Sequence, residues 1–241
     1  MGIIKKLKRR KIMSDFKKDF YSKQEALRDG RFKCEEEDLY PILNEAVPNT
    51  PFDAHYIYHP AWAAHMLAAT KPERHVDISS SLSFVTMASA IVPVDFYDFR
   101  PPKIALDNFS AGFADVCALP FADNSLASLS CMHVMEHIGL GRYGDPFDPQ
   151  GDLKGMAELQ RVLAPGGRLL FVVPICGTPR IHFNAHRYYS YDLVLSSFEG
   201  LTLEKFALVT DEPSFIMEAT KALSDAQDKG CGCFSFLKPE V

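Results

Sequence analysis

The chain lacks the features that would place it in a membrane or outside the cell. None of its 241 residues belongs to a run of about 18 apolar residues, so no transmembrane helix is expected. The basic start is not followed by an apolar segment and a small-residue cleavage site, so we expect no secretory signal peptide. Its six cysteines lie mostly in strand-like apolar runs, which favours reduced thiols in a cytoplasmic protein over a disulfide framework.

Internal repeats and low-complexity tracts are also absent, but charge is unevenly distributed. Residues 1–11 hold six basic residues and no acidic one, so the net charge of −5 becomes −11 for the other 230 residues. Such a segment is either a solvated terminus or a surface for a membrane or nucleic acid. Since the remainder is acidic and has no basic stripe with interleaved aromatics, we expect no nucleic-acid partner.

Residues 114–174 show an ordered alternation of strand and helix patterns. The sequence predicts a strand over 126–132, a helix over 152–163 and a second strand over 168–173. Pro165 and Gly166 end the helix, because proline cannot continue it and glycine accepts a positive φ. The alternation indicates parallel strands joined by crossover helices, with ligands at the carboxyl ends of the strands.

The flanking segments extend the same pattern in both directions. We predict strands over 75–78 and 91–96 with a helix over 82–90 between them, and two late strands over 201–209 and 231–237. The fold class is therefore α/β.

A separate region precedes this pattern. Residues 1–30 are predicted to be helical, with Ile12, Phe16 and Phe20 at helical spacing, and residues 31–60 are irregular. The domain organisation that we predict is a helical and irregular extension over 1–72 followed by one domain over 73–241.

Several motifs resemble those of a known family. LPF at 119–121, HVMEHI at 133–138 and RVLAPGGRLL at 161–170 occur in the order typical of small-molecule class I S-adenosylmethionine (SAM)-dependent methyltransferases. HVDISSSLSF, FNAHRYYSY and GCGCFSF are similar to segments of an uncharacterised domain family with such a core, first described in nematodes and also found in bacteria. The resemblance covers nearly everything after about residue 36. It implies a Rossmann-like, mostly parallel sheet with a late antiparallel strand, and use of SAM.

The resemblance also assigns the first cofactor residues. Asp77 matches the acid that closes the first strand, but serines at Ser79 and Ser81 stand where the family has a glycine-rich loop. This is a departure, since glycine allows positive φ and close approach of the backbone. Ser81 can still cap the next helix. Asp95 follows Asp77 by 18 residues and matches the acid that binds the ribose hydroxyls, with Asp98 as the alternative.

Further residues are assigned to the adenine and methionine ends of the cofactor. Asp115 matches the acid that faces the adenine amino group, and the backbone of Val116 and Cys117 contacts the ring. His133 lies near the methionine portion.

The acceptor site is expected between two loops, over 139–145 and 180–189. His137 or His186 is the candidate base, and Glu136 opens the acceptor pocket with His137. The candidate acceptor-binding residues, which offer hydrogen bonds or charge, are Arg142, Tyr143, Asn184 and Arg187. The alternative is that Asn184, His186 and Arg187 only brace the two loops.

The function that we predict is a SAM-dependent methyltransferase that acts on a small polar acceptor such as a sugar. Two other functions are alternatives. His133, Glu136 and His137 form the H-x-x-E-H pattern of a zinc hydrolase, but a directly preceding strand and a following glycine-rich loop argue against a zinc helix. We therefore expect no metal. The second alternative is a binding or scaffold protein that has lost SAM, which the serines in place of glycines favour.

Overall fold

The computed structural model describes residues 2–28 and 30–240, with side chains from residue 10 onward and at residue 6. The chain forms two compact units, Met1–Phe52 and Asp53–Val241. In the first unit, helix α1 spans Gly2–Leu27 and a short 3-10 helix spans Glu36–Asp38, so the predicted N-terminal helix is confirmed. Most side chains of the basic segment lie outside the described residues, and its contact with a membrane stays a prediction.

The second unit is built on an eight-stranded sheet of order β3-β2-β1-β4-β5-β10-β8-β9. Its strands are β1 (His75–Ile78), β2 (Val94–Asp98), β3 (Phe109–Phe113), β4 (Leu126–Met132), β5 (Leu163–Ile175), β8 (Thr202–Val209), β9 (Phe215–Ile216) and β10 (Gly230–Leu237). Strands β1 to β5 pair in parallel, and β10 pairs antiparallel with both β5 and β8. The predicted α/β sheet with late antiparallel strands is confirmed.

Helices cover both faces of this sheet. They are α2 (Ala54–Thr70), α3 (Leu82–Ala88), α4 (Gly151–Val162), α5 (Tyr191–Ser197) and α6 (Lys221–Asp225), and a separate hairpin consists of β6 (Arg180–His182) and β7 (His186–Tyr188). Phe171 of β5 packs in the cluster that includes α4 and α5, whereas Leu170 and Val172 pack with α2 and α3. Both faces of the strand are buried, which explains its continuous apolar run.

Helix α2 belongs to this second unit, since Trp62, Ala63, Met66 and Leu67 pack in the same cluster as Phe84 of α3. The predicted domain start at residue 73 stays a prediction. Among the described residues, no helix combines the length and the apolar character that crossing a membrane requires.

One strand begins and ends later in the structure than we predicted. We predicted the second strand over 91–96, but β2 spans Val94–Asp98. The apolar residues Ile91 and Val92 instead complete the turn after α3, where both backbone amides donate to the carbonyl of Ala88, at 2.8 and 3.1 Å. The shift places the carboxyl end of β2 at Asp98.

Candidate functional site

A cavity of about 530 Å³ opens at the carboxyl edge of the parallel strands, a volume in the range of small-molecule sites. Residues that follow β1, β2, β3 and β4 contribute to its wall together with the loop that leads to α4. The wall consists of Ser79, Asp98, Phe99, Arg100, Ala114, Asp115, Val116, Cys117, His133, Val134, His137, Ile138, Gly139, Tyr143, Asp145, Pro146, Asp148, Gly151 and Lys154. The edge predicted from the strand pattern therefore carries the cavity.

The serine loop after β1 adopts a shape that glycine usually supplies. Ser79 lines the cavity with a φ of +57°, and its amide donates to the carbonyl of Tyr97 at 2.8 Å. Ser81 caps α3 by accepting from the amide of Phe84, as predicted. Only Ser79 in this loop needs the left-handed region, so a single strained serine replaces the glycine there.

Asp77 shapes this loop from beneath and does not line the cavity. It is fully buried, and its carboxylate accepts from the amide of Ser80 at 2.9 Å and from the hydroxyl of Ser130. Ser80 in turn accepts from the amide of Met132 at 3.0 Å, which ties the loop to β4. Asp77 therefore holds the backbone that faces the cavity.

A buried polar chain continues from Asp77 across the sheet. Nε2 of His75 donates to Ser130 at 2.8 Å, and Nδ1 accepts from Ser128 at 2.7 Å. These roles follow from the donation by the Ser130 hydroxyl to Asp77. His75 is therefore held as a neutral imidazole under the cavity.

Replacing His75 by glutamine is expected to flatten the acid side of the stability profile. Burial lowers the pKa of His75 from 6.5 to about 3, so below pH 6.5 the unfolded chain binds a proton that the folded protein does not. The contribution of His75 to the free energy of unfolding is complete above pH 6.5. It is lost as pH falls towards 3, by about 2 kcal/mol between pH 6.5 and 5. Urea unfolding of both proteins across this range measures the difference.

The pKa of Asp77 shifts in the opposite direction from that of His75, so Asp77 provides the control. Burial raises its pKa from 3.8 to about 6, so its contribution is complete below pH 3.8 and is lost as pH rises through 6. Asp77→Asn should therefore steepen the loss of stability on acidification. If the stability of the native protein and of His75→Gln depended on pH in the same way, His75 would not be the group that causes the loss of stability in acid.

The structure places Asp95, the predicted ribose-binding acid, away from the cavity. Asp95 is the second residue of β2 and does not line the cavity; its carboxylate accepts from Arg74 at 2.8 Å and from Ser110 at 2.7 Å. Asp98, the alternative, ends β2 and lines the cavity. One of its oxygens accepts from the amide of Arg100 at 2.6 Å. The 18-residue spacing from Asp77 favoured Asp95, because the apolar residues Ile91 and Val92 indicated an earlier start for β2 than Val94.

The residues after β3 lie where the sequence predicted. Asp115, Val116 and Cys117 line the cavity, and Oδ1 of Asp115 accepts from the amide of Cys117 at 2.9 Å. The Cys117 thiol approaches the carbonyl of Gly151 at 3.4 Å. Burial, with the nearby Asp115 carboxylate, raises the pKa of Cys117 to about 11. The thiol is therefore neutral and part of the wall.

His133 occupies a constrained position directly after β4. Its φ is +56°, and its amide donates to the carbonyl of Val172 at 2.8 Å. Nδ1 lies 2.7 Å from Oε1 of Glu136, and Nε2 lies 3.3 Å from Sγ of Cys231. Burial alone lowers the pKa of His133, but Cys231 and the Glu136 carboxylate outweigh it and raise the pKa to about 10.

Residues 135–139 form turns and the segment 133–138 contains no helix, so His133 and His137 do not face one metal as in a zinc helix. Nδ1 of His137 donates to the carbonyl of Ala185 at 2.7 Å, and Arg142 donates to the same oxygen at 3.0 Å. Nε2 of His137 lies 3.8 Å from Oε1 of Glu136. His137 thus lines the cavity with a fixed ring.

Glu136 itself is buried behind this wall. Its side chain is 1% exposed, and Oε2 has no hydrogen-bond partner among the described residues. Its backbone carbonyl accepts from the amide of Arg187 at 2.9 Å. The structure therefore places the Glu136 carboxylate beside both histidines, where it orients the ring of His133.

The loop over 139–145 brings Tyr143 to the cavity. Asp145 shapes the loop by accepting from the amides of Gly139 at 2.9 Å and Tyr143 at 3.2 Å. The guanidinium groups of Arg100 and Arg142 lie 5.0 and 5.1 Å from the Tyr143 ring centroid. Two cations therefore border the opening beside an aromatic ring.

Arg187 is built into the structure and is not free to bind an acceptor. Its guanidinium donates to the carbonyl of Ile138 at 2.7 Å and lies 3.4 Å from the Asp152 carboxylate, which accepts from Tyr189 at 2.8 Å. Arg187 and Asp152 are 7% and 6% exposed. The bracing alternative that we stated for Arg187 therefore fits the geometry, and the assigned role in acceptor orientation does not.

His186 and Asn184 lie beyond the cavity wall. His186 is in β7, with its ring centroid 6.2 Å from that of His137, and Asn184 is exposed in the turn between β6 and β7. Burial lowers the pKa of His186 from 6.5. Neither residue lines the cavity, so their roles as base and acceptor ligand stay predictions.

Comparisons with known proteins place this arrangement in a family. The family described as Caenorhabditis protein of unknown function, DUF268, matches residues 104–225, just over half of the chain. The chain belongs to the DUF268 family. A comparison with curated protein sequences gives no match.

Solved structures resemble this DUF268 protein in fold. The 1,6-didemethyltoxoflavin-N1-methyltransferase of Burkholderia thailandensis, solved with its acceptor and S-adenosylhomocysteine, has a TM-score of 0.56 at 13% identity and covers 96% of this chain and 90% of its own. The N-methyltransferase NodS of Bradyrhizobium japonicum, with S-adenosylhomocysteine, has a TM-score of 0.50 at 14% identity and covers 74% of this chain and 85% of its own. The [4+2]-cyclase SpnF has a TM-score of 0.51 at 14% identity and covers 74% of this chain and 82% of its own. The fold is that of class I SAM-dependent methyltransferases.

Sequence reasoning missed the residues that α2 brings to the DUF268 site. The rings of His55, Tyr56 and His59 lie 5.8, 5.2 and 4.8 Å from that of His133. We predicted residues 31–60 to be irregular, but α2 begins at Ala54 and places His55 and His59 one turn apart. Their spacing of four was a usable signal. Nothing in the local sequence indicates that this helix meets β4, since the two segments are more than 50 residues apart.

Proposed function

We propose that this DUF268 protein is a SAM-dependent methyltransferase that acts on a small polar acceptor. The observation that carries the proposal is that Ser79, Asp98, Asp115 and His133, each at or just after the end of a different parallel strand, line one cavity. Ligands of open α/β sheets bind at this edge. The polar groups are spread along the edge, as an extended ligand with several polar ends requires.

The residues in the cavity fit the cofactor. Ser79 presents the left-handed backbone that the glycine loop supplies elsewhere, which allows close approach to the methionine end. Asp98 uses one oxygen for the amide of Arg100, and its other oxygen is assigned to the ribose hydroxyls. Asp115, similarly anchored through one oxygen, is assigned to the adenine amino group, with Val116 and Cys117 against the ring.

The bound cofactor supplies an electrophilic methyl group, and the protein must orient an acceptor in line with it. His137 is the base that we favour over His186, because His137 lines the cavity. Its Nδ1 donates to the carbonyl of Ala185, which leaves the Nε2 lone pair to take a proton from an acceptor hydroxyl or amine. Glu136, 3.8 Å from Nε2, stabilises the resulting imidazolium.

Acceptor specificity is assigned to the opening of the cavity. Tyr143 lines it, and Arg142 and Asn184 are exposed on the adjoining loops. Hydroxyl and amide groups in such positions bind sugars or similar metabolites by hydrogen bonds, and Arg142 suits a carboxylate or phosphate.

Calorimetric titration with S-adenosylhomocysteine tests the cofactor site. We expect binding, and we expect Asp98→Ala to weaken it by about 1–3 kcal/mol, or roughly 5- to 150-fold, because charge-assisted hydrogen bonds are lost. Asp95→Ala is the matched control: it removes an acid from the same strand outside the cavity and should leave the affinity unchanged.

No heat at millimolar ligand would contradict the proposal and favour the scaffold alternative. Equal losses in both variants would show that β2 binds the cofactor differently. Methyl transfer needs its own assay, because a cyclase shares this fold.

A further inference from the structure

Three side chains of metal-ligand type converge on His133 from three elements. His55 lies in the first turn of α2, His133 follows β4, and Cys231 lies in β10. One ligand atom from each lies within 4.8 Å of the other two. We propose that these residues form a binding site for Zn²⁺ or a similar transition metal such as Co²⁺, with one coordination position open.

The donor set matches the chemistry of such ions. Two imidazoles and one thiolate suit a borderline-soft cation, and three protein ligands with a fourth open position are typical of catalytic zinc sites. Bond lengths to zinc place neighbouring ligand atoms roughly 3.3–3.8 Å apart. Nε2 of His133 and Sγ of Cys231 are 3.3 Å apart, so this pair already stands at the edge of that range. His55 must move inward by about 1 Å.

His133 is oriented by an outer contact that leaves one nitrogen for the metal. Nδ1 of His133 lies 2.7 Å from Oε1 of Glu136, which directs Nε2 to Cys231. Carboxylates and carbonyls behind ligating histidines fix the ring in this way at zinc sites. In the metal-free protein a proton bridges Nε2 of His133 and Cys231, and the metal would replace it.

A third imidazole, that of His59, completes the surroundings. His59 lies four residues after His55 on α2, is 0% exposed, and has its ring 4.8 Å from that of His133. Its Nδ1 donates to the carbonyl of His55 at 2.6 Å, while Nε2 is buried without a partner among the described residues. Buried nitrogens of this kind are normally satisfied, and a metal or a metal-bound water would supply the partner.

This site differs from the zinc hydrolase motif considered in the sequence. That motif would use His137, which is not one of the three side chains that converge here. The expectation of no metal concerned that motif and did not consider His55. Because His133 also lines the cavity, the open position is accessible to a ligand there.

Metal analysis of the full chain tests the proposal. The protein is treated with a chelator, reconstituted with Zn²⁺ or Co²⁺, freed of excess metal and measured by elemental analysis and absorption spectroscopy. We expect one metal per chain, and for Co²⁺ both a thiolate charge-transfer band and the visible bands of a tetrahedral site. Glu136→Gln should weaken metal affinity about 10- to 100-fold.

Matched variants separate the possible ligand sets. Cys231→Ser and His55→Gln should abolish stoichiometric binding, whereas Cys176→Ser, which changes another fully buried thiol, and His137→Gln should retain it. Circular dichroism shows whether each variant folds, and the Co²⁺ spectrum of the native protein stands if Cys231→Ser does not fold.

Three outcomes would overturn the proposal: no retained metal, a Co²⁺ spectrum without thiolate absorption, or loss of metal in His137→Gln with retention in His55→Gln. Metal content is independent of S-adenosylhomocysteine binding, so this proposal and the proposed methyltransferase function can fail separately.

Discussion

Arg187→Ala is expected to lower the free energy of unfolding by about 3–5 kcal/mol, because it leaves a buried carboxylate without its counter-charge. Asp152 is 6% exposed and keeps only the hydroxyl of Tyr189, at 2.8 Å. The variant also leaves the carbonyl of Ile138 without the donor that lies 2.7 Å away. Thermal and urea unfolding measure the loss, at roughly 2–4 °C in Tm per kcal/mol.

Arg142→Ala is the control for this variant. Arg142 is exposed on the neighbouring loop and donates to the carbonyl of Ala185, so its removal should change stability by less than about 1 kcal/mol. The double variant Arg187→Leu with Asp152→Asn removes both charges and should be more stable than Arg187→Ala. Unchanged stability with loss of acceptor turnover would instead restore the role in acceptor orientation predicted for Arg187.

Gly139→Ala is expected to destabilise the wall of the cavity by about 2–5 kcal/mol. Gly139 has a φ of +76°, and a Cβ there would stand 2.0 Å from the carbonyl oxygen of Asp148. A side chain in the left-handed region costs about 1–2 kcal/mol, and overpacking adds about 1–3 kcal/mol. Both residues line the cavity, so S-adenosylhomocysteine affinity should fall with stability.

Gly144→Ala isolates the steric part of this effect. Gly144 lies in the same loop with a φ of +86°, but a Cβ there meets nothing within 4 Å. This variant should lose only the backbone contribution of about 1–2 kcal/mol and keep its affinity. Equal losses in the two variants would show that the backbone conformation, and not the contact with Asp148, limits position 139.

The predicted cofactor residues differ in how far the neighbouring sequence determines their position. Asp115, Val116 and Cys117 directly follow a strand and line the cavity as predicted. Asp95 failed because Ile91 and Val92 form a helix-ending turn, so the strand runs on to Asp98. An apolar pair after a short helix fits a turn or a strand equally well in sequence, and only the packing distinguishes them.

Long-range contacts account for the residues that the sequence assigned wrongly or missed. Arg187 carries the charge expected of an acceptor-binding residue, but Asp152, 35 positions earlier, holds it in the interior. His55 and His133 belong to segments that meet only when α2 packs across the sheet. Neither contact leaves a periodic pattern, because each joins single residues from distant elements.

By itself the sequence determined the α/β sheet, its late antiparallel strands and the edge at which the cavity opens. Hydrophobic periodicity and turn residues act within a few positions, and the handedness of crossover connections then limits the topology. Tertiary structure alone decided which acid ends β2, that Arg187 is a buried brace, and that His55, His133 and Cys231 converge. These features depend on the register of strands and the docking of α2, which arise from packing over the whole unit and not from local preference.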